Sequence, residues 1–378
     1  MAAMASIRSS RSGTFQVRYR DPNGRQRARN FDRKVDATRF AAAVETDKVR
    51  GDWMDPRLGK VTFGEWAEEW LGQLGHLKPK TRLDYEMTLR RHVLPALADS
   101  PVGAIDKPAM KRFASDMTER GAGADSVRIA VQVTRHVLAV AVDAGALKAN
   151  PATALRLARP AKAEKLFLRP EEVEALAQAI APPYGTLVRF AAYTGLRAGE
   201  IGALRVKRID FLRGRVEVAE SVSDVAGELI IGPTKTYANR HVPIPTLLRD
   251  ELAAYVADRR QDREEFVFTG PLGGPLRHGN FYRSKFKPAA RAADLPEGLR
   301  FHDLRHTYAA FCIASTADPY AVMRRMGHSS ITVTYDTYGH LFPERDAEIT
   351  ERLGEFFQRG VDFLWTRPDS AAGASGQK

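Results

Sequence analysis

Cysteine is nearly absent: Cys312 is the single one in 378 residues, which excludes an intramolecular disulfide and leaves a Cys-based zinc site without a second sulfur. It lies in "AAFCIAS", where a small buried hydrophobe is expected rather than a nucleophile. Long apolar runs are missing too. None approaches the roughly 18 residues that suggest a membrane span, and the opening "MAAMASIRSSRSG" lacks the apolar core of a signal peptide. A cytoplasmic chain without a membrane partner is expected. Internal repeats are absent, and disorder is expected only in a tail over 365–378, clearest in "DSAAGASGQK".

Charge, by contrast, is abundant and one-sided. The formal net charge is +12, and residues 1–34 carry nine Arg or Lys against Asp21 and Asp32, so seven of the twelve net charges sit there. A concentrated basic patch of this kind favours a polyanion. Within it, "GTFQVRYR" alternates Phe15, Val17 and Tyr19 with Gln16, Arg18 and Arg20. "DPNG" then supplies a turn, and "RQRARNF" places Arg25, Arg27 and Arg29 on one strand face. The pattern predicts a β-hairpin with a basic face, a shape that fits the DNA major groove. Residues 35–50 read as a helix covering the hairpin's apolar side.

Beyond the linker "GDWMDPRLGKV", residues 62–157 read as a helical bundle, with Thr62, Thr81, Asp106 and Asp125 as expected N-caps. Its Lys78, Lys80, Arg82 and Arg128 are candidates for tracking a DNA backbone. "RLARPAKAEKLFLRP" marks a second linker. From 165 onward the pattern mixes elements. Helices are predicted at "PEEVEALAQAI", "YGTLVRFAAYTGLRAGEIGAL", "GNFYRSKFKPAARAAD" and "FHDLRHTYAAFCIAS", and strands at "RGRVEVAE", "GELIIGPTKTYANRHVPIP" and "EEFVFTG".

The segment "FHDLRHTYAA" puts His302, Arg305 and His306 within a turn and a half of helix amid apolar neighbours. A zinc pair at i and i+4 is the first alternative, but Asp303 stands where a zinc protease needs Glu, and Arg305 is a permanent cation beside the would-be metal. No metal and no other cofactor is expected. A buried cation needs an anionic counterpart: either a carboxylate, Asp303 or Glu200, or a phosphate held by the planar guanidinium fork. His306 is read as a satisfied structural histidine.

Four segments then resemble a family. "YTGLRAGEIGAL", "GPTKTYANRHVPIP", "FHDLRHTYAA" and "MGHSSITVTYDTYGHLF" are similar, in order and separation, to the conserved boxes of tyrosine recombinases of the phage-integrase type. The resemblance implies a multidomain fold, mainly α with small β-sheets. Its parts are an amino-terminal arm-site-binding module (1–55), a helical core-binding domain (62–157) and a mixed α+β catalytic domain (165–364). It implies catalytic roles for Arg197, Lys235, His302, Arg305, His328 and Tyr338, with Glu200 orienting Arg197. In that scheme the arginines hold the phosphate oxygens, His302 accepts the tyrosine proton, His328 bonds the phosphate, and Lys235, in the turn of a β-hairpin, protonates the leaving 5′ oxygen. Tyr335 lies three residues from Tyr338 and is read as packing. Met326 replaces the family's usual Leu before Gly-His, an apolar exchange.

The resemblance also implies double-stranded DNA as partner, a homotetramer on it and a DNA-bending or directionality factor. The apolar stripe Ile349, Leu353, Phe356 and Phe357 either packs on its own domain or, as the resemblance implies, docks on a neighbouring protomer. Three functions stay open at this point: a site-specific recombinase, a type IB topoisomerase-like enzyme and a non-catalytic DNA-binding regulator.

Overall fold

The computed structural model describes residues 5–9, 13–20, 26–50, 57–158, 165–234, 239–259, 262–315, 318–342 and 346–365; within these, the side chains of 47–50, 346–349 and 360–365 are left aside. Arg25, Lys235 and the tail beyond 365 lie outside the described residues. Two compact units divide the chain between Ala163 and Glu164. Both are built mainly of helices with small antiparallel sheets.

The first unit opens with strands β1 (Ser6–Ser9), β2 (Phe15–Arg20) and β3 (Gln26–Phe31), paired antiparallel in that order, followed by helix α1 (Lys34–Arg50). Val17 and Tyr19 alternate inward and pack with Ala37, Ala41 and Val44 of the helix. The sheet therefore has three strands, one more than the expected hairpin. Its register also corrects the expected basic face. Val17 lies opposite Arg29 and Tyr19 opposite Arg27, and residues directly opposite share a face. Arg27 and Arg29 are thus on the helix side, where the Arg29 guanidinium sits over the rings of Phe31 and Phe40 at 5.2 and 4.9 Å. Arg18 and Arg20 are on the other face with Arg8, Gln16, Gln26 and Asn30. There Gln16 bonds Asn30 (3.1 Å) and Arg18 bonds Gln16 (2.7 Å).

The rest of this unit is helical: α2 (Phe63–Gly72), α3 (Pro79–Thr88) running through a π turn into α4 (Leu94–Leu97), α5 (Lys107–Glu119) and α6 (Ala124–Asp143). Thr62 closes a capping box with Glu65 and Asp106 caps Ala109, both as expected. Two expected caps differ. α3 starts earlier, at Pro79 after Lys78, because proline suits the first helical turn, and α6 starts after Gly123, with Asp125 inside its first turn. The core gathers Phe63, Trp70, Leu89, Met110, Phe113 and Leu138. Lys80 pairs with Asp84 at 2.5 Å across one helical turn, both side chains exposed to solvent. Arg82 and Arg128 are exposed, and Arg128 lines a cleft of about 750 Å³ with Arg135 and Arg156.

The second unit begins with α7 (Pro170–Ala179), α8 (Gly185–Thr194) and α9 (Ala198–Gly202). Next come β4 (Ile209–Asp210), β5 (Arg215–Val218), β6 (Glu220–Val225), β7 (Glu228–Pro233) and β8 (Arg240–Pro243). They form two sheets, β4-β5-β8 and β6-β7. Strands β7 and β8, which flank Lys235 in the chain, therefore pair with other strands rather than with each other, and the expected hairpin is β6-β7 instead. "EEFVFTG" forms only isolated bridges, such as Arg205 with Phe266. Helices complete the unit: α10 (Thr246–Arg259), α11 (His278–Phe281) joined by a π turn to α12 (Lys287–Ala292), α13 (Asp303–Ala314), α14 (Pro319–Met326), α15 (Ile331–Tyr338) and α16 (Asp346–Trp365). Its main core runs from Leu176 and Phe190 through Val216, Val242, Leu252 and Phe268 to Phe286 and Leu304. A second cluster, Tyr308, Ile313, Val322, Met326 and Tyr338, joins α13, α14 and α15. Among the described residues no helix is long and apolar enough to cross a membrane.

Candidate active site

Two glycines turn the chain so that distant segments meet. α8 ends at Gly195 with φ +64, and the Tyr308 ring occupies the place a Cβ would take. A side chain would be strained there and would also clash. The chain then reverses, Leu196 enters the core, and Arg197 becomes the N-cap of α9. Glu200 closes a box back onto it, accepting from the Arg197 backbone N–H (2.9 Å) and from its guanidinium (3.0 Å). The same carboxylate, 3% exposed, accepts two bonds from Arg240 of β8 at 2.7 and 3.0 Å. Burial alone would raise its pKa. The bonds from Arg240 and Arg197 outweigh that and hold it below the ordinary carboxylate value.

The second turn is Gly327, φ +63, at the end of α14. The last carbonyls of a helix have no intrahelical donor and carry the negative end of its dipole. Here three consecutive ones are each taken by an arginine. Arg240 Nε donates to Arg325 O (3.1 Å), Arg305 Nη2 to Met326 O (2.5 Å) and Arg197 Nη2 to Gly327 O (3.0 Å). Arg305 also donates to Gly195 O at 2.5 Å. Burial and the nearby Arg197 lower its pKa to about 9, which still leaves it a cation at neutral pH. Of the two counterparts considered for Arg305, a carboxylate or a phosphate, the carboxylate makes no bond to it: its guanidinium is held by backbone carbonyls. Asp303, one of the two expected candidates, accepts instead from Arg300 N at 2.7 Å.

Tyr338 meets this arginine cluster from α15. It is 1% exposed, and its hydroxyl lies 2.7 Å from His306 Nδ1. Burial, then His302, Lys165, Arg305 and Arg300, pull the His306 pKa to about 3, so the ring is neutral, and in its Nε2–H tautomer Nδ1 accepts from the Tyr338 hydroxyl. Burial pushes the tyrosine up to about 12. His328 stacks on the Tyr338 ring (6.2 Å, 9°) and contacts Thr334 Oγ1 at 2.8 Å. Burial and the three arginines hold His328 neutral, at about 4. His302 packs edge-on against His306, ring centroids 5.0 Å apart. Lys165 donates to Thr337 O (3.2 Å) and sits 5.5 Å over the Tyr338 ring.

Arg197, His302, Arg305, His328 and Tyr338, with Glu200, are therefore brought together. Lys235 lies outside the described residues. Tyr335 is half exposed, its ring against Phe342 at 5.7 Å. Cys312 is buried, as expected. Among the described residues no group of three or more His, Cys, Asp or Glu could hold a metal. Two residues were misjudged or missed in the sequence. His306, read as structural, touches the tyrosine hydroxyl, a place expected for His302; its signal was adjacency to Arg305. Arg240, in "NRHVPIP", went unnoticed although a buried Glu200 has room for more than one cation.

Residues 166–345 match the Phage integrase family and residues 63–158 the Phage integrase central domain. The putative prophage phiRv2 integrase of Mycobacterium tuberculosis is 30% identical over 92% of this chain and 94% of its own. The ICEBs1 integrase of Bacillus subtilis is 26% identical over 93% and 99%. In fold, the chain is similar to the Tn1549 transposon integrase in complex with a circular intermediate DNA (TM-score 0.68, 19% identity, 78% of this chain and 99% of that one). It is also similar to lambda integrase, solved as a tetramer bound to a Holliday junction (TM-score 0.58, 19% identity, 86% and 96%). The order of the four boxes, their convergence on one tyrosine and the near full-length match to the prophage relative place this chain in the phage integrase family, tyrosine recombinases that cleave and rejoin DNA.

Proposed function

We propose that this chain integrates or excises a mobile element by cutting and resealing double-stranded DNA at specific sites through a 3′-phosphotyrosyl link. The observation that carries the reading is the meeting of Arg197 and Arg305 on adjacent carbonyls beside the buried Tyr338 hydroxyl. An arginine has five N–H donors, so bonds to carbonyls and to Glu200 do not exhaust either one. Both keep donors for the non-bridging oxygens of a phosphodiester, and their charge offsets what builds up as phosphorus becomes pentavalent. His328 bonds the phosphate as a neutral donor, and His302 supports the same oxygens from beside Arg305. Lys235 protonates the leaving 5′ oxygen. One phosphoester replaces another of similar energy, so the reaction is reversible without nucleotide hydrolysis.

Residues 1–55 bind arm sites, 62–157 grip the core site through Lys78, Lys80, Arg82 and Arg128, and 165–364 carry the chemistry. Arg18 and Arg20, beside Gln16 and Asn30, form the DNA-facing side of the sheet. A homotetramer acts on DNA, coupled by the stripe on α16, where Leu353, Phe356 and Phe357 are 60, 62 and 74% exposed. A DNA-bending or directionality factor sets integration against excision.

Nicked suicide duplexes tiled across the ends of the element that carries the gene test the reading. Wild type should form a denaturation-resistant adduct that maps to Tyr338. Tyr338→Phe should bind the same duplex without forming it, and Tyr335→Phe should behave as wild type. An adduct on Tyr335, or relaxation of supercoiled DNA with no partner site, would overturn it.

A further inference from the structure

We propose that His306, rather than His302, takes the proton from Tyr338 as the phosphotyrosyl bond forms. The inference rests on the reading above and adds a reacting group to it. The geometry is direct: Nδ1 of His306 stands 2.7 Å from the hydroxyl that must lose its hydrogen, within the range a general base requires. His302 meets His306 in a T-shaped ring contact, centroids 5.0 Å apart, and it is His306 that holds the bond to the hydroxyl.

The position of His306 on α13 makes this contact a consequence of the fold. Arg305, the preceding residue, is anchored to Gly195 and Met326. Thr307, the next one, donates to Asp303 O and accepts from Leu168 N at 3.0 Å. The imidazole is fixed between two anchored neighbours, and the aromatic edge of Tyr338 packs against it at 5.7 Å.

Burial and the groups around the ring explain why the transfer waits for DNA. Burial first, then His302, Lys165, Arg305 and Arg300, disfavour a protonated His306, while Tyr338 on α15 faces it as a neutral phenol. In the free protein the proton therefore stays on the tyrosine. When the scissile phosphate enters, its negative charge offsets that of Lys165, Arg305 and Arg300. As the Tyr338 oxygen bonds to phosphorus, the P–O5′ bond breaks and the phenolic proton passes to His306 Nδ1. The 5′ oxygen takes a proton from an ammonium donor, the role assigned to Lys235, so one proton leaves and one is returned. Rejoining runs the same steps backward.

Single-turnover cleavage of the suicide duplex that traps wild type provides the test. His306→Ala should lower the rate by on the order of 10²-fold or more while DNA affinity is unchanged, and added imidazole should restore at least tenfold with a pH dependence following imidazole as the free base. His302→Ala should not respond to imidazole. His306→Gln, which keeps the volume and a hydrogen-bonding group but accepts no proton, should stay as slow as the alanine variant. The assignment is overturned if His306→Gln cleaves within threefold of wild type, if imidazole rescues His302→Ala instead, or if no imidazole response is seen with His306→Ala. Failure of wild type to form any adduct would strike the functional reading itself.

Discussion

Replacing Glu200 by glutamine should unsettle the catalytic unit more than any other change that preserves side-chain volume. The Glu200 side chain is 2% exposed and that of Arg240 12%, so the pair is shielded from water, whereas Arg197 is 28% exposed and its share is screened. An amide in this place turns its NH2 toward guanidinium donors and leaves Arg240 as a buried cation without a counter-charge. Removing one partner of a buried pair costs about 3–5 kcal/mol, a large part of the roughly 5–15 kcal/mol that holds a typical domain. Urea unfolding read by hydrogen exchange of α8, α9 and β8 amides measures it. Arg240→Met alone should be comparably damaging, and the double variant should be clearly more stable than the sum of the two losses implies, because it removes both charges together. A loss below about 1 kcal/mol for Glu200→Gln, or strictly additive losses, would refute the coupling. Because this carboxylate is held below 4.5, its contribution is complete above that pH and is lost as acid protonates it.

Other outcomes follow from the same contacts. Gly195→Ala forces a side chain into a left-handed backbone against Tyr308; about 1–2 kcal/mol of strain and a further 1–3 from overpacking should appear as a lower Tm. His306 and His328 sit far below the ordinary histidine value of 6.5, so the unfolded chain takes up protons that the folded one refuses; stability should be full above pH 6.5 and fall steadily toward pH 4, and a flat profile between 7 and 5 would contradict their burial. Arg305→Lys should abolish adduct formation by orders of magnitude, since a point charge cannot span Gly195 O, Met326 O and a phosphate together; near-normal cleavage would remove the fork from the argument. Arg18→Ala should weaken arm-site binding and flatten its salt dependence, while Arg29→Ala should cost about 0.5–1 kcal/mol of stability by losing its place over Phe31 and Phe40; reversed effects would mean that the helix side of the sheet faces DNA.

The boxes were legible because the chemistry demands particular side chains: two arginines, a tyrosine and histidines, each written in the sequence. What escaped was written in no letter. The counterpart of Arg305 is a pair of backbone carbonyls, and only the meeting of the ends of α8 and α14 places them. Arg18 and Arg29 both alternate correctly along their strands, yet which face each joins depends on the register between β2 and β3, a non-local fact. The short polar strand Ser6–Ser9 gives no apolar alternation to detect. His306 was undervalued because spacing along α13 describes a face of that helix and says nothing of what α15 brings to it.

The cap formed by three arginines on the carbonyls of Arg325, Met326 and Gly327 has an evolutionary corollary. These cations tie helix ends together whether or not any strand is cut, so a descendant that abandoned strand exchange would still be selected to retain them for folding. Arginine boxes are then poor witnesses to living activity in degenerate prophages; the hydroxyl of residue 338 and the imidazole it touches, which bear little of that architectural duty, are where inactivation should first leave its mark.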